Sequence, residues 1–129
     1  MNDDVFVLLE RFEALDVDAA SFTHLDHIKT AYAMLKRYDF LEAASRYSRT
    51  IDQLAQRVGA HDKFNLTITL AFLSLMAERM SGSNVDDFGG FLDANPDLMD
   101  RGLLSQWYSR ERLNCAQARR SFLLPDVAA

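Results

Sequence analysis

The stretch "KFNLTITLAFLSLMAERM", residues 63–80, decides the fold. Phe64, Leu66, Ile68, Leu70, Phe72, Leu73, Leu75 and Met76 fall on every side of a 3.6-residue helix, and a helix apolar all round belongs in a packed interior. Thr67, Thr69 and Ser74 interrupt the run and Glu78-Arg79 ends it, well short of the roughly 20 apolar residues that span a bilayer. The expectation is a central helix over about 63–80, with Asp62 as its cap and further helices around it.

The flanking sequence supplies those helices. Upstream, Asp39 and Glu42 stand three apart at the head of a stripe, Phe40, Ala44, Tyr47, Ile51, Leu54 and Val58, that stops at Gly59. Before it, Thr23 and Asp26 form a capping box for a helix from His24 to Arg37. A first helix from Asp3 to Leu15 aligns Val5, Leu8, Leu9, Phe12 and Leu15, with Asp3 and Asp4 suited to its N-terminal dipole. Downstream, "SGSN" at 81–84 breaks the central helix. A weak helix follows near Val85–Leu92, loosened by Gly89-Gly90, then one capped by Asn95 with Pro96 first, then two short ones before Pro125. No segment alternates with period two, and no repeat or linker appears. The fold class is therefore all-α, a single domain over 1–129, in a compact bundle of five to seven helices.

Nineteen acidic residues face fourteen lysines and arginines, a net charge of −5, which sets the mean field against a nucleic-acid phosphate backbone. The charge is uneven: residues 101–120 hold five arginines against Glu111, while residues 1–27 hold seven acids against Arg11. Attraction between these two ends within one domain is the simplest account. The arginines are also the only motive for a helix-turn-helix reading. Cys115 is the only cysteine, so neither an intrachain disulfide nor a multi-cysteine zinc site can form. The acidic start "MNDDVFVLLERFEALD" does not resemble a secretory leader. A cytoplasmic protein without a membrane segment is expected. No phosphate-binding glycine loop, H-E-x-x-H or G-x-S-x-G occurs.

Two of the three histidines open the second helix. His24 shares a face with Ile28, Ala31 and Leu35, and His27 lies one turn on at the edge of the same stripe, so both imidazoles should look inward. Buried imidazoles have three uses: packing with one nitrogen satisfied by a carbonyl, ligating a metal, or exchanging protons and hydrogen bonds with a ligand. The metal reading needs a third ligand beyond His24 and His27, so no cofactor is expected and a transition metal remains the minority alternative.

The runs "FTHLDHIKTAYAML" (22–35), "KFNLTITLAFLSL" (63–75) and "YSRERLNCAQARRSFLLPDVA" (108–128) carry three motifs in order. These are F-x-H-x-D-H, a threonine-rich central helix, and Y-S-x-x-R-L followed by P-D-[LV]. In them the chain resembles a family of small bacterial helical proteins, largely uncharacterised, some encoded among genes for specialised metabolites. The resemblance implies an all-α fold, a cytoplasmic setting and a link to small-molecule metabolism, with no activity to carry over. Many members have His-Glu where this chain has Asn65-Leu66, so it lacks the nitrogen and carboxylate that would complete a metal site with His24 and His27.

Tyr108 and Arg112, four apart, can point a phenol and a guanidinium into one polar space. The leading expectation is an internal pocket with His24 and His27 as candidate acid/base residues and Asn65, Tyr108 and Arg112 as ligand-binding residues. It would take a small polar or anionic molecule. The alternative is an interaction module, a homodimer or a docking partner for another enzyme, in which the histidines are structural.

Overall fold

The structure, a computed structural model, describes residues 2–127, with side chains from Asp4 onward. The dipole role assigned to the Asp3 side chain lies outside them. Seven α-helices and no strand occur among the described residues: α1 (Asn2–Glu13), α2 (His24–Arg37), α3 (Phe40–Arg57), α4 (Leu66–Ser81), α5 (Phe88–Ala94), α6 (Arg110–Leu113) and α7 (Ala116–Arg120). The all-α bundle expected from the periodicity is the fold observed.

Local chemistry sets the boundaries. Thr23 Oγ1 accepts the Asp26 amide at 3.1 Å while the Asp26 carboxylate accepts the Thr23 amide at 3.0 Å, the reciprocal box that starts α2. Asp39 caps α3 through the Glu42 amide at 2.8 Å, but the Glu42 carboxylate turns instead to Arg46. Gly59, at φ 71°, supplies the left-handed residue after α3 that a side chain would strain. The cap of α4 is Asn65, not Asp62: its Oδ1 accepts the Ile68 amide at 2.9 Å, and residues His61–Lys63 form a separate 3-10 turn. Gly90 tightens α5 where loosening was expected, because Val85 packs where a Cβ would stand and Asp87 caps the Gly90 amide at 2.7 Å.

The core sits on α2. Ile28, Thr30, Ala31, Tyr32, Ala33 and Met34 are all buried there, against Val5, Leu9 and Phe12 of α1. Tyr32 meets Phe88 and Phe91 of α5 at 5.3 and 5.4 Å between ring centres. On α3 the buried face is Ala43, Tyr47, Thr50 and Leu54, while Phe40 and Val58, placed in the stripe by sequence, are exposed. The helix expected at the centre, α4, buries only Thr67, Leu73 and Met76 and leaves Ile68 38% exposed. The reason is spatial: its surplus apolar side chains line clefts on either side, Ile68 and Phe72 on one, Ala71 and Leu75 on the other.

Two acids of α1 are paired from the helices beside it. Glu13 takes Arg46 at 3.0 Å and Glu10 takes Arg37 at 3.9 Å. Among the described residues no ion pair joins residues 1–27 to the arginines of 101–120, so the expected attraction between the ends is not realised as contact. No helix is long and apolar enough to cross a membrane, among the described residues.

Candidate functional site

The first turn of α2 carries both histidines into a cleft, and the turn is held firmly. The His27 carbonyl accepts Thr30 Oγ1 at 3.0 Å and Tyr47 Oη at 3.1 Å, tying α2 to α3. His24 Nε2 lies 2.8 Å from the Leu98 carbonyl. A carbonyl only accepts, so Nε2 carries a proton and donates it to this bond. The 3-10 turn Pro96–Met99 that bears Leu98 is itself pinned: Arg79 of α4 grips Asp97 through both terminal guanidinium nitrogens, Nη2 at 2.8 Å from Oδ2. This hydrogen-bonded pair holds the Asp97 carboxyl below its usual range.

His27 is placed differently. Its ring meets Phe22 edge-on at 4.8 Å, and neither ring nitrogen hydrogen-bonds a described residue. Among the described residues no fully enclosed side-chain nitrogen or oxygen lacks a partner, so the His27 nitrogens open onto free space. His27 lines a cleft of about 240 Å3 between α2, α3, α4 and the segment 100–104. His24 and Phe72, 6.0 Å apart between ring centres, form one wall. Ile51, Ile68, Leu103 and Leu104 make the apolar lining, and the exposed residues Asp100 and Arg101 supply the charged groups. Burial pushes the His27 pKa down to about 4, with the charges of His24 and Arg101 acting in the same direction and Asp26 opposing. At neutral pH His27 is an uncharged donor and acceptor. Asp100 is engaged, its carboxylate accepting the Gly102 amide at 2.8 Å, whereas Arg101 has no hydrogen-bond or ion-pair partner among the described residues.

Asn65, Tyr108 and Arg112 are not brought into this cleft. Asn65 is spent on the cap of α4, and its Nδ2 donates to the Leu113 carbonyl at 2.6 Å. Tyr108 is buried and donates to the Leu123 carbonyl at 2.8 Å; burial raises its pKa. Arg112 Nε donates to the Leu124 carbonyl at 2.6 Å. The grouping of five residues in one pocket is thus corrected to two groups. The second is a latch on the segment 121–127. There the Asp126 carboxylate takes both the Ser109 amide at 2.7 Å and its hydroxyl at 2.6 Å, which lowers the Asp126 pKa. Trp107 accepts the Val127 amide at 3.0 Å. The Y-S-x-x-R and P-D motifs are the two halves of this latch. Thr67 joins it by donating to the Ser121 carbonyl at 2.6 Å and accepting the Leu123 amide at 3.1 Å. Thr69 bonds back along its own helix, to the Asn65 carbonyl.

Sequence reading missed Arg101, Phe72 and Tyr47 as site residues. Tyr47 and Phe72 read as core, and Arg101 lies in a turn where no periodicity marks a face. Among the described residues no three histidine, cysteine or carboxylate side chains gather to hold a metal. A larger cleft, about 480 Å3, contains His61 bonded to Asp52 at 2.7 Å beside Asp62, Arg119 and Arg120. No protein-family model, curated protein or solved structure matches the chain.

Proposed function

We propose that the protein binds a small organic anion in the cleft between α2, α3, α4 and the segment 100–104. One observation carries this reading: Arg101, without an ionic partner, shares an apolar-walled cleft with the unpartnered imidazole of His27. A guanidinium holds a carboxylate through paired N–H donors, and neutral His27 adds an oriented hydrogen bond. The polar groups set the direction of the ligand and the aromatic and aliphatic walls supply affinity, the usual division in small-molecule sites. Its low pKa suits His27 to recognition more than to proton transfer near neutrality, where a catalytic imidazole is best poised close to the working pH. A place in cytoplasmic small-molecule metabolism, as a binding or accessory factor, goes with this reading.

Thermal melting with benzoate and hexanoate tests it. At a hundredfold excess over Kd a ligand stabilises the folded state by about 2.7 kcal/mol, worth roughly 10 °C in a domain of this size. The Arg101→Gln variant should melt like the parent alone and lose the gain. If neither carboxylate moves the melting temperature or the His27 ring resonances, the reading falls.

The alternative of an interaction module has an observation of its own: Leu41 is 81% exposed and Leu124 69% exposed. These residues lie on α3 and on the latched segment, and neither lines the histidine cleft.

A further inference from the structure

Three clefts meet at Ile51. The first is the histidine cleft, whose charged groups, Asp100 and Arg101, come from the segment 100–104. The second, about 160 Å3, is walled by Ala19, Phe22, Leu54, Ala55 and Val58 and shares His27 and Ile51 with the first. The third, about 260 Å3, shares Ile51, Ile68 and Thr69 with the first but includes Lys63 and Asn65. The first and second clefts therefore adjoin at His27 and Ile51: one carries the charged groups Asp100 and Arg101, and the other is aliphatic and aromatic apart from the shared His27 ring. Two adjoining spaces, one charged and one apolar, suit an elongated amphiphile.

We propose that the anion bound at Arg101 is the head of a medium-length alkyl chain, a straight-chain carboxylate whose tail runs past Ile51 into the compartment of Phe22, Leu54 and Val58. This rests on the anion-binding reading above and adds the substrate class. Space sets the length. At roughly the 30 Å3 that a water-sized group occupies, the second compartment takes about five such groups. A tail of about that many carbons, beyond those beside the histidines, fills it, and each methylene moved out of water tightens binding about fourfold.

Titration calorimetry with butyrate, hexanoate, octanoate and decanoate on the intact chain tests the proposal. The Kd should fall about fourfold per added methylene up to octanoate and then level off. Ala19→Leu, which narrows the second compartment alone, should leave butyrate binding unchanged and move the plateau to shorter chains. If that variant does not fold, Val58→Phe at the exposed rim of the same compartment takes its place. Arg101→Gln should weaken every member of the series by a similar factor. Binding of butyrate and octanoate with equal Kd would overturn the chain inference while leaving the anion site standing. A plateau that neither variant moves would also overturn it, since the tail would then lie elsewhere. No binding at any length would overturn both readings.

Discussion

His27 shows what a histidine does when its surroundings refuse it a charge. In the unfolded chain its pKa is near 6.5, and in the fold it is about 4. Between these values the unfolded state binds the extra proton, so stability is full above about pH 6.5, falls as pH drops towards 4, and is flat below that on this account. The span corresponds to about 3 kcal/mol at 1.36 kcal/mol per unit. Urea unfolding across that range should show the decline in the parent and lose most of it in His27→Gln. Equal slopes in both would mean that the ring is open to water. His24 donates to the Leu98 carbonyl, whereas neither ring nitrogen of His27 hydrogen-bonds a described residue, so on the anion-binding proposal His27 is the histidine left for a ligand. Their spacing alone does not separate these roles, because the partner of His24 lies 74 residues away.

At the scale of elements, helix starts divide into those written locally and those decided by distant contacts. The box of Thr23 and Asp26 and the cap at Asp39 need only neighbours three residues on, and both are legible. Asn65 is as good a cap as Asp62 by residue type. What selects it is the second bond of its amide, to the Leu113 carbonyl 48 residues later. Asn65→Ala should therefore cost about 1–2 kcal/mol for the lost cap and more for the orphaned carbonyl, while Asn65→Asp keeps the cap and loses only the donor. Denaturant midpoints ranked parent, Asp variant, Ala variant would bear this out, and a tie between the two variants would not. Tyr108 and Arg112 mislead for the same reason. Their spacing correctly puts phenol and guanidinium near each other, but the groups they meet are carbonyls of a non-helical segment, which has no pattern to read. Arg101 is hidden by its setting, since only the fold brings its turn opposite α2.

For the molecule as a whole, α4 joins two kinds of apolar surface. Leu73 is fully buried, and Leu73→Ala should cost on the order of 2–5 kcal/mol, a large share of the roughly 5–15 kcal/mol available to such a domain. Ile68→Ala, on the same helix but at the meeting of two clefts, should cost under about 1 kcal/mol while weakening carboxylate binding. Paired melts and titrations would separate these effects, and a large loss of stability at Ile68 would mean that the clefts are closed in solution. The all-round hydrophobicity of residues 63–80 thus serves packing at Leu73 and Met76 and lines clefts at Ile68, Phe72, Ala71 and Leu75, which a helical wheel cannot distinguish. The latch on residues 121–127 bears on the order of events during synthesis. Chains are made from the N-terminus, and Thr67 finds its partners at Ser121 and Leu123, more than fifty residues later. While a nascent chain still lacks that segment, α4 has its buried threonine and Tyr108 its hydroxyl waiting on water, so the last turn of assembly on α4 follows translation of the segment instead of accompanying it.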